Sequence, residues 1–250
     1  MSLILIAAAI LPVVLLAWFV YKQDKYDREP PRLLLRAFLL GVLSCFPAIV
    51  MEGFLQFFTP GIPVVDGIFN GFVVAGFSEE LCKLLLLSLA IWRNSNFDEY
   101  FDGIIYSTFV ALGFACFENF GYVLGQGSMA AALATSASRA VLSVPGHFLF
   151  GVAMGYFFAL AKFDPKHRTT NLLKALLVPT LLHGTFDALL MIPESMADET
   201  MQSITSSVLF IVFIYFDVKL WKAGVKRIRH LQKLSSTQSV RSLDDIDWNM

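Results

Sequence analysis

The sequence predicts an all-α fold, a polytopic membrane helix bundle of about seven transmembrane helices, and three observations carry that reading. Hydrophobic residues make up 56% of the 250 and charged residues only 16%, against about 25% charged in soluble domains. Seven apolar runs of about 18 residues or more follow one another along the chain. Lys and Arg collect in every second connection between them.

The runs cover residues 3–21, 39–58, 64–92, 103–124, 139–161, 172–192 and 204–221, and each should be a helix because lipid offers no partner to an unpaired backbone group. The first has no Lys or Arg before it and exceeds a signal-peptide core, so it reads as a retained span. The third is the longest and holds Glu79, Glu80 and Lys83. The fourth carries Glu118 among glycines that let backbones approach. The fifth begins at Arg139, and Pro145, which cannot donate to the Val141 carbonyl, should bend it just before His147. The sixth carries His183 and Asp187.

Residues 1–221 therefore form a single integral membrane domain. Residues 222–234 are basic and amphipathic enough to lie on an anionic leaflet, and the Ser-rich stretch 235–250 should be disordered. Five basic residues fall in 22–38, one in 93–102, four in 162–174 and seven from Lys219 onward, while 59–63, 125–138 and 193–203 have none. That asymmetry predicts an outside N-terminus and a cytoplasmic C-terminus. The 19 basic and 20 acidic residues nearly balance, which leaves no basic field for nucleic acid and makes the lipid bilayer the expected surroundings. Cys45, Cys82 and Cys116 are odd in number and far apart, which suits neither disulfides nor a thiolate metal cluster.

An ionised group in mid-bilayer costs about 2.5 to 3.5 kcal/mol, so charges inside spans default to function. Here they are Glu52, Glu79, Glu80, Glu118 and Asp187 against Lys83 and Arg139, with His147 and His183 beside them. Excess acid with two imidazoles suits a divalent metal such as zinc, or a water activated by a carboxylate. Lys83 is i+4 from Glu79 and i+3 from Glu80, close enough to neutralise one and leave the other for proton transfer. Asp187 is i+4 from His183 and can fix its tautomer. Asn119 and Tyr122 could donate hydrogen bonds or position a peptide, Glu52 reads as interfacial, and Arg139 as a headgroup contact. Ser78 in Gly76-Phe77-Ser78 stands next to two glutamates, a poor place for a serine nucleophile. If one site exists, Glu79 or Glu80, Glu118, His147 and His183 must converge on one point open to the outer face.

At these residues the sequence resembles the PrsW family of intramembrane proteases, grouped with the CAAX-protease and bacteriocin-processing superfamily. The matching elements, in order, are Asp27-Arg28-Glu29-Pro30, Gly76-Phe77-Ser78-Glu79-Glu80-Leu81-Cys82-Lys83, Phe101-Asp102-Gly103-Ile104-Ile105-Tyr106, Gly113 through Asn119, His147, and His183-Gly184-Thr185-Phe186-Asp187. The resemblance implies a protease of a bacterial plasma membrane that makes the first, outer-side cut in a membrane-spanning anti-sigma factor. It matches Glu79 and Glu80 to the catalytic glutamate motif, and His183 with Asp187 to the final His motif. Glu118 stands where the superfamily usually has a His, and His147 can supply that imidazole.

The leading expectation is thus an intramembrane endopeptidase. In it Glu79 or Glu80 deprotonates a water, and His147, His183 and Glu118 hold zinc or stabilise the oxyanion. The alternative is a proton- or cation-coupled transporter using the same groups as a relay, although no internal repeat is visible. A third is a non-catalytic scaffold, in which the glutamates would be dispensable.

Overall fold

A computed structural model describes residues 3–244, and among them every regular element is helical. In chain order these are α1 (Leu3–Gln23), α2 (Pro31–Leu55), α3 (Pro63–Phe69), a π-helical stretch (Asn70–Phe77), α4 (Ser78–Ile91), α5 (Asp102–Leu124), α6 (Met129–Val141), α7 (Ser143–Phe163), α8 (Arg168–Glu194) and α9 (Glu199–Asp244). Six helical stretches are long and apolar enough to cross a membrane: Leu3–Gln23, Pro31–Phe58, Asp102–Leu124, Met129–Phe163, Pro165–Glu194 and Glu199–Gln238. Leu11, Leu15, Leu43, Leu89, Leu181 and Ile211 are all exposed. Apolar side chains in that number on the outside of a bundle are what lipid contact requires.

The third expected span is helical but assembled differently. α3, the π-helical stretch and α4 follow without a break, and their widened middle packs on α8. Small residues permit that approach: a Cβ on Gly76 would lie 3.0 Å from the Gly184 nitrogen, and one on Gly184 would lie 2.4 Å from the Phe72 ring. π-helical turns recur at functional sites, and this one ends immediately before Ser78, Glu79 and Glu80.

Three sequence expectations need correction. Residues 125–138 do not form a simple loop, because the Ser128 side chain accepts from the Ala131 N–H and opens α6, which runs from Met129. Pro145 does not bend a long helix. The chain breaks at Leu142, and Pro145 stands in the first turn of α7, where no backbone N–H is needed. Residues 235–244 continue α9 as helix, and Ser235 is buried. The last six residues of the tail lie outside the described ones.

α5 and α7 form the centre of the bundle and cross at close range. A Cβ on Gly155 would stand 2.2 Å from the Gly103 carbonyl oxygen, and the Ser107 hydroxyl donates to the Gly151 carbonyl at 2.7 Å. Filling that crossing would force the helices apart, at a cost of about 1–3 kcal/mol. The bundle end that carries the basic connections is packed with aromatic rings. There Phe97 stacks on Phe158 with centroids 5.3 Å apart, flanked by Trp92 and Phe163.

Four acidic residues are also buried at this basic end: Asp24, Glu29, Glu99 and Asp102. The Tyr106 hydroxyl donates to Glu29, the Glu29 N–H donates to Asp24, and Asp102 accepts the N–H groups of Asp98 and Glu99 at 3.0 and 2.7 Å. The lower part of α9 is pinned alongside. Ser235 accepts the Phe101 N–H at 2.9 Å, Gln238 donates to the Asp98 carbonyl at 2.7 Å, and Gln232 donates to the Gln23 carbonyl at 2.6 Å. Higher on the same helix, Phe213 meets Phe186 at 4.8 Å, and Phe186 meets Phe150 at 5.8 Å.

Candidate active site

The paired glutamates sit in the first turn of α4, directly after the π-helical stretch, and their i, i+1 spacing points them in different directions. Glu80 is fully buried. Glu79 is 5% exposed and lines a cleft of about 910 Å³ that opens at the bundle end opposite the basic connections, between the ends of α2, α5 and α8 and beside α6. Lys83, one turn on, donates to both, at 3.0 Å to Glu79 Oε2 and 2.8 Å to Glu80 Oε1. Its ammonium also lies 3.9 Å from the Phe114 ring centroid.

The two imidazoles arrive from α7 and α8, with ring centroids 5.1 Å apart. His147 Nδ1 is 3.2 Å from Lys83 Nζ, which can only donate, so the ring proton resides on Nε2 and is donated to Glu118 at 2.8 Å. His183 Nδ1 is 3.0 Å from Glu80 Oε1, its Nε2 is 3.2 Å from Asp187, and its ring stacks on Phe150 with centroids 4.7 Å apart. Carboxylates on both sides fix the orientation of this imidazole. The five positions expected to converge, Glu79, Glu80, Glu118, His147 and His183, do so, together with Lys83 and Asp187.

Other residues take different places from those read in the sequence. Arg139 is not a headgroup contact: Nη2 donates to Glu118 at 2.6 Å, Nε donates to Asn119 at 2.8 Å, and the guanidinium covers the Tyr122 ring at 4.2 Å. Asn119 in turn donates to the Ala9 carbonyl at 2.8 Å, so it is buried structure and not a peptide contact. Glu52 is not simply interfacial but lines the cleft. Ser78 Oγ is buried and has no hydrogen-bond partner among the described residues. The sequence reading overlooked the role of Arg139 because its partners are 20 and 21 residues away. It gave the buried carboxylates of the basic end no role of their own, Glu29 and Asp102 entering only as parts of two motifs.

Residues 29–216 match the model of the PrsW family intramembrane metalloproteases. The chain belongs to the PrsW family. It is 36% identical over 230 residues to Protease PrsW of Clostridioides difficile, with 91% of each chain covered. It is 39% identical over 188 residues to Protease PrsW of Bacillus subtilis, covering 74% of this chain and 82% of the relative. Against Protease PrsW of Geobacillus kaustophilus it is 34% identical over 236 residues, covering 94% and 96%. No solved structure matches. The molecule is thus a multi-pass membrane protease, which sets the transporter and scaffold readings aside.

The PrsW family description names a metal, and the residues present fit one. Glu79, Glu80, His147 and His183 each offer a ligand atom, all within 4.8 Å of one another and all buried. Imidazole nitrogen and carboxylate oxygen suit zinc, and Glu80 Oε2 is buried with no hydrogen-bond partner among the described residues. Glu118, expected among the metal ligands, stands outside this group and reaches it through His147.

Proposed function

We propose that the chain is an intramembrane endopeptidase that makes the first, outer-side cut in a membrane-spanning anti-sigma factor, and that Glu79 is its general base. The observation that carries the reading is the contrast within the glutamate pair. Glu79 borders the cleft, whereas Glu80 is sealed behind it and bonded to both Lys83 and His183. A base has to reach the water it deprotonates. Glu79 does so from the cleft wall. The proton it takes is then available to the leaving amine.

His147 and His183 are oriented from behind by Glu118 and Asp187. A metal held by His147, His183 and Glu80 would polarise the scissile carbonyl and acidify the attacking water. Arg139 neutralises Glu118 at the cleft wall. The basic connections lie at the opposite end from the cleft, so the positive-inside rule puts the cleft on the outer side. The anti-sigma factor substrate follows from the family resemblance.

The test compares membrane proteomes of cells carrying the wild type or Glu79→Gln. A shortened single-span protein present with the wild type, and full length with the variant, is the expected result. Identical proteomes overturn the reading. Purified Glu79→Gln should retain its thermal transition while cleavage falls by about 10²- to 10⁴-fold.

A further inference from the structure

The donor atoms that suit a divalent metal surround a position that the chain already fills with a side chain of its own. Lys83 Nζ lies 3.0 Å from Glu79 Oε2, 2.8 Å from Glu80 Oε1 and 3.2 Å from His147 Nδ1. Glu80 Oε1 also makes the 3.0 Å contact to His183 Nδ1, so the Lys83 nitrogen touches three of the four residues and meets the fourth through a shared carboxylate oxygen. Lys83 is 1% exposed, and the Phe114 ring closes another side of its ammonium at 3.9 Å.

Zinc bonds nitrogen and oxygen at about 2.0–2.2 Å, inside the shell of atoms that the ammonium now holds at about 3 Å. An ammonium has no lone pair to offer a metal, and two cations this close repel strongly in a buried site. The pocket has room in its chemistry for one cation at a time.

We propose that the Lys83 ammonium and a divalent metal are alternative occupants of one position, so that the ion enters only when Lys83 withdraws from Glu79, Glu80 and His147. The physical reason for the arrangement is the cost of two glutamates buried without a counter-charge. Lys83 supplies that charge from within the chain, so the bundle folds with its acid pair compensated whether or not metal is bound. Metal affinity is then set by a competition and is lower than the four ligands alone would give. Metal availability becomes a control on the loaded state. The inference rests on the reading of Glu79, Glu80, His147 and His183 as the reaction centre.

The experiment measures zinc binding to the full-length protein in detergent micelles by titration calorimetry, a readout independent of cleavage. Lys83→Met is expected to bind one zinc about a hundredfold more tightly than the wild type. Adding His183→Ala to that variant should abolish the gain. Equal or weaker binding by Lys83→Met, or a gain that survives the loss of His183, overturns the proposal. Because Lys83→Met leaves two glutamates uncompensated and can fail to fold, wild-type crystals soaked in zinc give a second measurement by anomalous scattering. Zinc among the four residues with Lys83 Nζ swung away supports the proposal. Zinc there with Lys83 still bonded to both glutamates, or no zinc among the four, overturns it. Failure of the protease reading would appear elsewhere, as unchanged membrane proteomes.

Discussion

Glu118 shows how a part-buried carboxylate is made useful one residue at a time. Its Oε2 accepts from both Arg139 and His147, so removing either partner leaves the other facing a charge without its counterpart. A double-mutant cycle between Arg139→Gln and Glu118→Gln should therefore show coupling of about 0.5–3 kcal/mol in thermal stability. Strictly additive effects would mean that the contact carries no energy. The same residues mark the limit of local reading. The bonds from Lys83 to Glu79 and Glu80, and from His183 to Asp187, follow from helical spacing of three or four residues and were legible as such. The partners of Arg139 lie across a connection whose path no spacing rule supplies.

At the scale of elements, the lower part of α9 is held against a set of carboxylates that is unusual for being buried. Burial holds Glu29 and Glu99 up at about 7 and Asp24 at about 6, above the usual carboxylate range. Around them stand Asp27, Asp98 and Asp102, with Arg28 the nearby cation and Tyr106 and Ser235 as hydrogen-bonding neighbours. A folded-state pKa raised for an acid means that the folded form binds the extra protons. The resulting stability is full below the unfolded value near 4.5 and is lost as pH rises through about 7. Hydrogen exchange in residues 222–238, corrected for intrinsic rates, should show more protection at pH 5.5 than at pH 8. Glu99→Gln should narrow that gap, and equal protection at both pH values would contradict the account. In sequence Glu29 and Asp102 stand out only as parts of two motifs, because nothing local announces that a helix from the far end of the chain will cover these carboxylates. The π-helical stretch was hidden for a related reason. Its apolar composition fits any buried helix, and only packing against Gly184 on α8 calls for the widened turn.

For the whole molecule, composition and the apolar runs were enough to give the helical bundle, since lipid leaves few other ways to satisfy a backbone. What they could not give was the subdivision at residues 129–163, where a short helix is inserted beside the cleft and contributes Arg139. The positive-inside rule predicts the orientation: the connections 24–30, 92–101 and 164–167 share one end, and the cleft opens at the other. Single cysteines at positions 127 and 197, placed in a background with Cys45, Cys82 and Cys116 replaced, should react with a membrane-impermeant maleimide on intact cells. Cysteines at 26 and 95 should react only after lysis. The reverse pattern would put the cleft on the cytoplasmic side and remove the outer-side cut.

Helix α9 has a further consequence when it is considered as a mechanical part. Its 46 residues form one unbroken rod of about 69 Å, more than twice the thickness of the hydrocarbon layer. The rod is gripped near its lower end at Gln232, Ser235 and Gln238, and touches the bundle again at His230, Trp221 and Phe213. A slip of one residue at the lower grip, about 1.5 Å, would carry Trp221 and Phe213 along with it. The next surfaces in line are Phe186, then Phe150, then the face of the His183 ring.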